Sequence, residues 1–393
     1  MQTAARLARR TETFTESVIR DMTRLSNLHG AINLAQGFPN FPASVSLKDA
    51  ARAAIAADVN QYAITWGAPR LRTALAAFYR DTYGMSVDPE TMLTVTCGST
   101  EAMIATLLAL VDPGDEVIVF EPFYENYGPD TAICGAKPVF VPLRAPDYRI
   151  DPDELQRAFS PRTRAIIVNS PNNPTGRVLS REELELIGGL CREHDVVAIT
   201  DEIYEHIVYE GTHIPLATIE GMADRTVTIS GASKTFAVTG WRVGWIVAPP
   251  ALSAGIRKVH DFLTVGAPAP LQDAIAAALE GGPVQYRALS REYGERREIL
   301  YGVLRDAGFA PSRPAGAYYI LCDIAPLGFA DDTAFAEWLV REVGVACVPG
   351  SSFFSRRERG KGTVRFTFCK TETMLREAGT RLATAAARAR ERA

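Results

Sequence analysis

The sequence predicts an α/β fold in which a large, mostly parallel sheet lies between helices and a smaller α+β unit is attached. The chain has 393 residues, which is more than a single core usually holds. Its middle part repeats a strand-loop-helix order, and this order is typical of parallel sheets. Near the carboxyl terminus, 317–323 and 363–368 alternate like strands around a helix predicted at 333–342.

The individual elements follow from local patterns. Each predicted strand is a run of β-branched and apolar residues that ends in Gly, Pro or polar residues. The helix after Ser180 starts with a capping box, because Glu183 follows Ser180 by three residues. Strands are predicted at 91–96, 116–120, 165–169, 196–200, 226–230 and 243–249. Helices are predicted at 1–30, 46–58, 97–111, 181–194 and 283–306.

Composition argues against several classes of function. The net charge of -4 offers no basic excess for nucleic acid, and no apolar run is long enough to span a membrane. The six cysteines lack CxxC pairing and zinc spacing, so we expect buried, reduced thiols and no metal. Residues 1–10 lack an apolar signal core, which favours a cytoplasmic protein. The densest basic cluster, residues 356–361, is interpreted as a solvated loop.

Lys234 is the most informative residue, because it lies on a tight connection between two predicted strands. A lysine amine becomes a nucleophile only where its surroundings keep it neutral or hold it as a Schiff base. The small residues around Lys234 leave room for a planar cofactor, and Trp241 and Trp245 indicate a buried setting. Arg242, eight residues further on, offers a planar donor fork that suits a phosphate.

Five other residues carry polar groups, four of them at the ends of predicted elements and one within a strand. Ser99 and Thr100 open a helix, where backbone N–H groups bind phosphate, although simple helix capping also explains them. Asp201 and Tyr204 follow a strand at the edge where open α/β sheets bind ligands. Arg365 lies on an apolar strand and needs an anionic partner, which is either a structural salt bridge or a ligand.

The intervals between these residues resemble those of class I and II pyridoxal phosphate aminotransferases of fold type I. They are 28 residues from Asn173 to Asp201, 3 to Tyr204, 30 to Lys234 and 8 to Arg242. The resemblance runs from Gly37 to Arg365 and is greatest to the subgroup of kynurenine/glutamine, methionine and N-succinyldiaminopimelate aminotransferases. It implies a seven-stranded sheet in a large cofactor-binding domain, 43–283, and a small domain built from 1–42 and 284–393.

The resemblance also implies a role for each site residue. Lys234 would form a Schiff base with the cofactor aldehyde and then act as general base and acid. Asp201 would pair with the pyridinium nitrogen, Asn173 and Tyr204 would hydrogen-bond the phenolic oxygen, and Tyr124 would stack on the ring. The phosphate would be held by Ser99, Thr100, Ser230, Arg242 and, from the other subunit of a homodimer, Tyr62. The substrate would contact Gly37, Asn173 and, through its α-carboxylate, Arg365.

The function implied is a ping-pong transfer of an amino group from an L-amino acid to a 2-oxo acid. A lyase of the cysteine-conjugate β-lyase type or an amino-acid oxidase is the alternative on the same scaffold. An effector domain of a transcription regulator would need a fused DNA-binding segment, which neither terminus indicates. Gly266 stands where similar kynurenine aminotransferases have a histidine, and this argues against an aromatic kynurenine preference. We expect side-chain specificity to depend on scattered positions, including Ile19, Tyr62, Trp66 and Val265.

Overall fold

A computed structural model describes residues 8–12 and 14–392 of the chain. Its strands are β1 (Ile32–Asn33), β2 (Leu93–Thr96), β3 (Glu116–Glu121), β4 (Lys137–Pro142), β5 (Thr163–Asn169), β6 (Val197–Asp201), β7 (Thr226–Gly231), β8 (Gly244–Val247), β9 (Ala310–Pro311), β10 (Tyr319–Asp323), β11 (Val345–Ala346), β12 (Val348–Pro349) and β13 (Thr363–Thr367). Strands β2 to β8 form a seven-stranded sheet in the order β2-β8-β7-β6-β5-β3-β4. Only β8 is antiparallel to its neighbours, so the predicted mostly parallel sheet is confirmed.

The helices pack against both faces of this sheet and around its ends. They are α1 (Val18–His29), α2 (Val45–Ala56), α3 (Pro69–Tyr83), α4 (Gly98–Leu110), α5 (Tyr127–Ile133), α6 (Pro152–Ala158), α7 (Arg181–Glu193), α8 (Ala232–Thr235), α9 (Pro250–Leu263), α10 (Ala269–Glu280), α11 (Val284–Arg287), α12 (Leu289–Asp306), α13 (Asp332–Trp338), α14 (Glu372–Leu382) and α15 (Ala385–Arg392). Helix α7 begins with the predicted capping box of Ser180 and Glu183.

The central sheet separates two apolar cores, because successive side chains of a strand point to opposite faces. In β3, Val117 and Val119 pack into the core that contains α4 and α9 residues. The intervening Ile118 and Phe120 pack with residues of α6 and α7 on the other face. This double burial explains why the strand is apolar at consecutive positions.

A second, four-stranded sheet with the order β12-β13-β10-β9 is built from the carboxyl-terminal part of the chain. The short strand β1 pairs with β11, so residues near the amino terminus join this part. A third apolar core surrounds these strands and includes Leu34, Phe335 and Phe366. The division into a large domain, 43–283, and a small domain, 1–42 and 284–393, stays a prediction.

Several predicted element boundaries were wrong. The helix predicted at 1–30 is confined to α1, because Ser17 accepts a hydrogen bond from the Arg20 N–H and Gly30 ends the helix in the left-handed region. Residues 9–12 form a separate 3₁₀ turn, and residues 1–7 and 13 lie outside the described residues. The helix predicted at 283–306 is interrupted at Ala288. The helix predicted at 333–342 continues beyond Trp338 as a π-helical turn.

Candidate active site

A cavity of about 1650 Å³ lies where the carboxyl ends of the parallel strands meet the four-stranded sheet. The ends of β5, β6 and β7 lie side by side in the sheet, so their loops converge there. All of the predicted site residues except Ser230 and Tyr62 line this cavity. They are Gly37, Ser99, Thr100, Tyr124, Asn173, Asp201, Tyr204, Lys234, Arg242 and Arg365.

Lys234 lies in the short helix α8, directly after β7, with its amine turned into the cavity. The Lys234 Nζ donates to the Gly37 carbonyl at 3.3 Å and lies within 6 Å of the Tyr204 and Tyr318 ring centres. Burial, together with the nearby Arg242 and Arg365 charges and against the opposing effects of Cys369 and Asp201, lowers the pKa of Lys234 to about 8. The amine is therefore partly neutral near physiological pH.

This pKa predicts the pH dependence of Lys234 labelling in the cofactor-free protein. Because only the neutral amine reacts, reductive methylation by formaldehyde and borohydride should rise with pH, reach half its maximum near pH 8 and then level off. Mass spectrometry of the digest measures this rate, with the exposed Lys258 as internal standard. A midpoint near about 10, the value for a solvated lysine, would contradict the effect of burial.

Asp201 ends β6 with a carboxylate that is buried and lines the cavity. Its oxygens accept hydrogen bonds from the Tyr127 hydroxyl at 2.7 Å and from the Ile203 N–H at 3.3 Å. Burial raises the pKa of Asp201, while these two hydrogen bonds oppose the rise. A cationic ligand atom beside this carboxylate would complete its charge balance.

An anion site is formed by the amino terminus of α4 together with Arg242. Gly98 begins α4 with φ of +81°, and a Cβ there would lie 2.3 Å from an Arg242 nitrogen, so glycine is required. The guanidinium donates to the carbonyls of Thr239 at 3.0 Å and Cys97 at 3.3 Å. Ser99 and Thr100 lie on the first turn of the same helix and line the cavity. Helix N–H groups and a guanidinium together suit a phosphate.

Arg365 lies on β13 and is fully buried. Its guanidinium donates to the Asn173 side-chain oxygen at 2.7 Å and to the Ala35 carbonyl at 2.9 Å. The Tyr319 and Phe353 rings flank it, at 4.1 and 4.8 Å from their centres. Its Nε has no hydrogen-bond partner, and no carboxylate of residues 8–12 and 14–392 pairs with it. The structural salt bridge, which was one of the two alternatives for Arg365 in the sequence, is absent from the described residues. The charge of the Arg365 guanidinium is therefore available to a ligand.

The loop at Gly37 closes one side of the cavity and depends on close contacts. A Cβ at Gly37 would lie 2.1 Å from the Tyr319 hydroxyl oxygen, so only glycine fits. The Gly37 carbonyl also accepts from the Tyr318 hydroxyl at 2.9 Å. Lys370, which is almost fully buried, donates to the carbonyls on both sides, at 3.2 Å to Gln36 and 2.8 Å to Phe38. Burial lowers the pKa of Lys370.

Tyr204 and Tyr124 occupy the remaining walls. The hydroxyls of Tyr204 and Tyr319 share a hydrogen bond of 3.0 Å, and the Tyr204 ring packs edge-on against Tyr318. The Tyr124 ring lies edge-on to Tyr127, with centres 5.8 Å apart. Burial raises the pKa of both Tyr124 and Tyr204. Both phenols therefore stay protonated and can donate hydrogen bonds.

Two predicted cofactor ligands are not brought to the cavity of this chain. Ser230 is fully buried and donates its hydroxyl to Glu205, and it does not line the cavity. Ser233 is the serine of this segment that lines the cavity. Alternation along β7 turns Ser230 away from the loop that follows. Tyr62 is 86% exposed and lies outside the cavity wall.

Sequence reasoning missed Tyr127, Tyr319 and Lys370. Tyr127 reaches Asp201 over 74 positions, and Lys370 reaches Gln36 over 334, so no local pattern joins them. Only Lys370 had a usable signal in the sequence, because it follows the apolar strand β13 closely. A lysine buried there requires hydrogen-bond partners that are also buried. Within residues 8–12 and 14–392, no cluster of metal-binding side chains occurs, and no helix has the length and apolar character to cross a bilayer.

The chain is similar to known proteins in both sequence and structure. Residues 29–382 match the family described as aminotransferase class I and II. The structure of N-succinyldiaminopimelate aminotransferase from Mycobacterium tuberculosis is similar, with 43% identity, a TM-score of 0.94 and coverage of 96% of this chain and 100% of that one. YbdL from Escherichia coli, reported with a methionine aminotransferase function, has 35% identity, a TM-score of 0.93 and coverage of 97% and 100%. Human kynurenine–oxoglutarate transaminase 1 is 36% identical, with 90% and 92% of the two chains covered.

Proposed function

The chain belongs to the class I and II aminotransferases, and on this premise we propose that Lys234, Asp201 and Tyr204 are the catalytic groups of its transamination. Membership confirms the predicted family, the fold type I class and the reaction, and it does not support the lyase or oxidase alternatives. The protein acts on an amino acid and a 2-oxo acid. The family uses pyridoxal phosphate.

The residues of the cavity fit this cofactor. Arg242 and the first turn of α4 offer donors for a phosphate, and the buried Asp201 offers a carboxylate for a protonated ring nitrogen. Lys234 offers a partly neutral amine for an aldehyde carbon. Ser99, Thr100 and Ser233 would add hydroxyls at the phosphate, while Asn173, Tyr204 and Tyr124 would face the ring. Ser230 is excluded from this set by its hydrogen bond to Glu205.

Pyridoxal phosphate, when bound, supplies an electron sink that stabilises negative charge at the amino acid's α-carbon. Arg365 would bind the α-carboxylate through its guanidinium, which Asn173 and the Ala35 carbonyl hold in place, with the Gly37 loop as the adjoining wall. The Lys234 amine would take the proton from the α-carbon and later return one. A pKa of about 8 suits both transfers near neutral pH. Asp201 would keep a proton on the ring nitrogen.

The single observation that carries this assignment is that the buried cavity places one low-pKa lysine beside an unpaired arginine. The test is a panel of amino donors added to the cofactor-loaded protein, including glutamate, methionine, kynurenine and N-succinyldiaminopimelate. We expect at least one donor to convert the cofactor to its amine form, read by absorbance, and a 2-oxo acid to reverse the change. A donor that instead releases ammonia, or no conversion by any donor, would contradict the proposal.

We further propose a homodimer with shared sites. Apolar side chains protrude from two neighbouring segments, which the hydrogen bond of 2.7 Å from His260 to the Thr65 carbonyl ties together. They are Val59, Tyr62, Ile64, Phe262, Leu263 and Val265, with Phe262 92% exposed. A surface of this kind usually marks an interface. A dimer formed through this surface would bring Tyr62, Trp66 and Val265 towards the cavity of the partner subunit. Ile19, the other predicted specificity position, lines the cavity of its own chain.

Phe262→Glu tests this dimer. The side chain is 92% exposed in the single chain, so the subunit should fold, but a buried charge at an interface strongly disfavours association. We expect monomers by sedimentation equilibrium and at least about tenfold weaker cofactor binding, because Tyr62 no longer reaches the phosphate. Val45→Glu, at an exposed apolar position of α2, is the control. A dimeric Phe262→Glu protein would refute the location of the interface.

A further inference from the structure

A buried carboxylate outside the proposed catalytic set fastens a loop over the cavity. Glu121 ends β3 and is fully buried. Its carboxylate accepts hydrogen bonds from the Ser355 N–H at 2.9 Å, from the Ser355 hydroxyl at 2.8 Å and from Arg359. All these donors belong to residues 350–360, which we call the clasp loop. The interpretation of the 356–361 cluster as solvated was therefore incomplete, because Arg359 forms an ion pair with a buried group.

The clasp loop forms part of the cavity wall. Ser351, Ser352, Phe354, Ser355 and Arg357 from this loop line the cavity. The loop also accepts a hydrogen bond at the Phe353 carbonyl from the Phe123 N–H, 2.9 Å away. Glu121 and Phe123 belong to the same segment as Tyr124, which is proposed to face the cofactor ring. The strand end and the loop are thus joined at two points, Glu121 and Phe123.

The clasp also joins the two sheets of the protein. Glu121 belongs to the seven-stranded sheet, whose strand ends carry Asp201 and Lys234. The clasp loop connects β12 to β13 of the four-stranded sheet, and β13 carries Arg365. The position of the loop therefore sets how the carboxylate-binding wall faces the ring-binding wall.

We propose that Glu121 is a positioning residue that holds the clasp loop against the cavity and thereby sets the affinity for both substrates. Neutralising Glu121 removes the acceptor of a charge-assisted hydrogen bond and leaves Arg359 without its ion pair. The loop then detaches from β3, while Asp201 on β6 and Lys234 on α8 keep their places. Substrate binding weakens in the ground state and the transition state alike, so KM rises more than kcat falls.

A matched control exists on the same strand. Glu116 begins β3, is also buried, and accepts from the Ser160 hydroxyl at 2.6 Å and Arg162 at 2.7 Å. Its partners therefore have the same chemistry as those of Glu121, but they lie at the end of the strand away from the cavity. Glu116→Gln reports the effect of losing a buried carboxylate in β3 without loosening the clasp loop.

Limited trypsin digestion of the cofactor-loaded protein gives a readout that does not depend on activity. The exposed Arg356, Arg357 and Lys361 are cleavage sites, and cleavage requires the loop to detach. We expect Glu121→Gln and Arg359→Gln each to be cut there about tenfold faster, the factor of one charge-assisted hydrogen bond. The double variant should be cut no faster than Glu121→Gln, because both changes remove one interaction. Glu116→Gln should be cut at the wild-type rate.

The kinetic measurement of KM and kcat rests on the proposed function, whereas the trypsin digestion does not. We expect KM for the amino acid and the 2-oxo acid to rise about tenfold in Glu121→Gln and Arg359→Gln, with kcat changed less than about threefold. Unchanged cleavage of the loop, or an equal rise in KM for Glu116→Gln, would overturn the proposal. Arg359 is partly exposed, so Arg359→Gln keeps the test valid if Glu121→Gln does not fold. Faster cleavage in a protein that transaminates no donor would refute the proposed function alone.

Discussion

Lys234→Ala is expected to lower kcat for amino-group transfer by at least about 10⁴-fold, because the variant lacks both the anchor for the cofactor aldehyde and the group that moves the α-proton. Among the lysines of residues 8–12 and 14–392, Lys234 alone lines the cavity, and Lys370 is held by hydrogen bonds to the Gln36 and Phe38 carbonyls. Stopped-flow absorbance of the half-reaction measures the rate. Added methylamine should restore part of the activity, because the cavity left by the side chain admits a small amine.

The control for this prediction is Lys258→Ala, which removes an exposed lysine from α9. Borohydride reduction followed by digestion should place the cofactor on the peptide with Lys234 in the wild-type protein and in Lys258→Ala. If the label appeared on another lysine, or Lys234→Ala kept more than about 1% of the wild-type rate, the assignment of Lys234 would be wrong.

Asp201→Asn is expected to lower the rate of α-proton removal by about 10³-fold, the effect of losing one preorganised electrostatic group in a buried site. Asparagine has the same shape, and its Oδ1 can accept from the Ile203 N–H while its Nδ2 donates to the Tyr127 hydroxyl oxygen, so the variant removes charge rather than packing. The KM for the amino acid should change less than about threefold, since Arg365 and not Asp201 is proposed to bind the carboxylate. A full α-deuterium isotope effect in single turnover should accompany the slower rate.

Glu202→Gln is the matched control for Asp201→Asn. Glu202 is the next residue, is equally buried and bonds to His213 at 2.8 Å, but it does not line the cavity. Removal of the Glu202 charge should leave the isotope effect and the half-reaction rate near the wild-type values. Equal losses in both variants would mean that the effect came from disturbing β6 and not from the Asp201 charge.

The positions of individual strands and helices in this protein were predictable from the sequence alone. The positions of β5, β6, β7, α4 and α7 follow from short apolar runs and caps that neighbouring residues determine. Because the carboxyl ends of parallel strands share one edge, the meeting of Lys234, Asp201 and Asn173 also follows from the order of the elements. The need of Arg365 on β13 for an anion could also be expected from the sequence, because an unpaired buried charge costs free energy.

Only the tertiary structure decided which partners these groups have. Tyr127 on Asp201, Lys370 at the Gly37 loop and Arg359 on Glu121 join residues 74 to more than 200 positions apart, and no periodicity links them. The orientation of Ser230 toward Glu205 depends on the pleat of β7 and on the loop after β6, which packs beneath it. Local apolarity determines which segments form strands and helices, whereas the burial of single polar side chains such as Glu121 and Lys370, and their hydrogen-bond partners, depends on how separate elements pack in space.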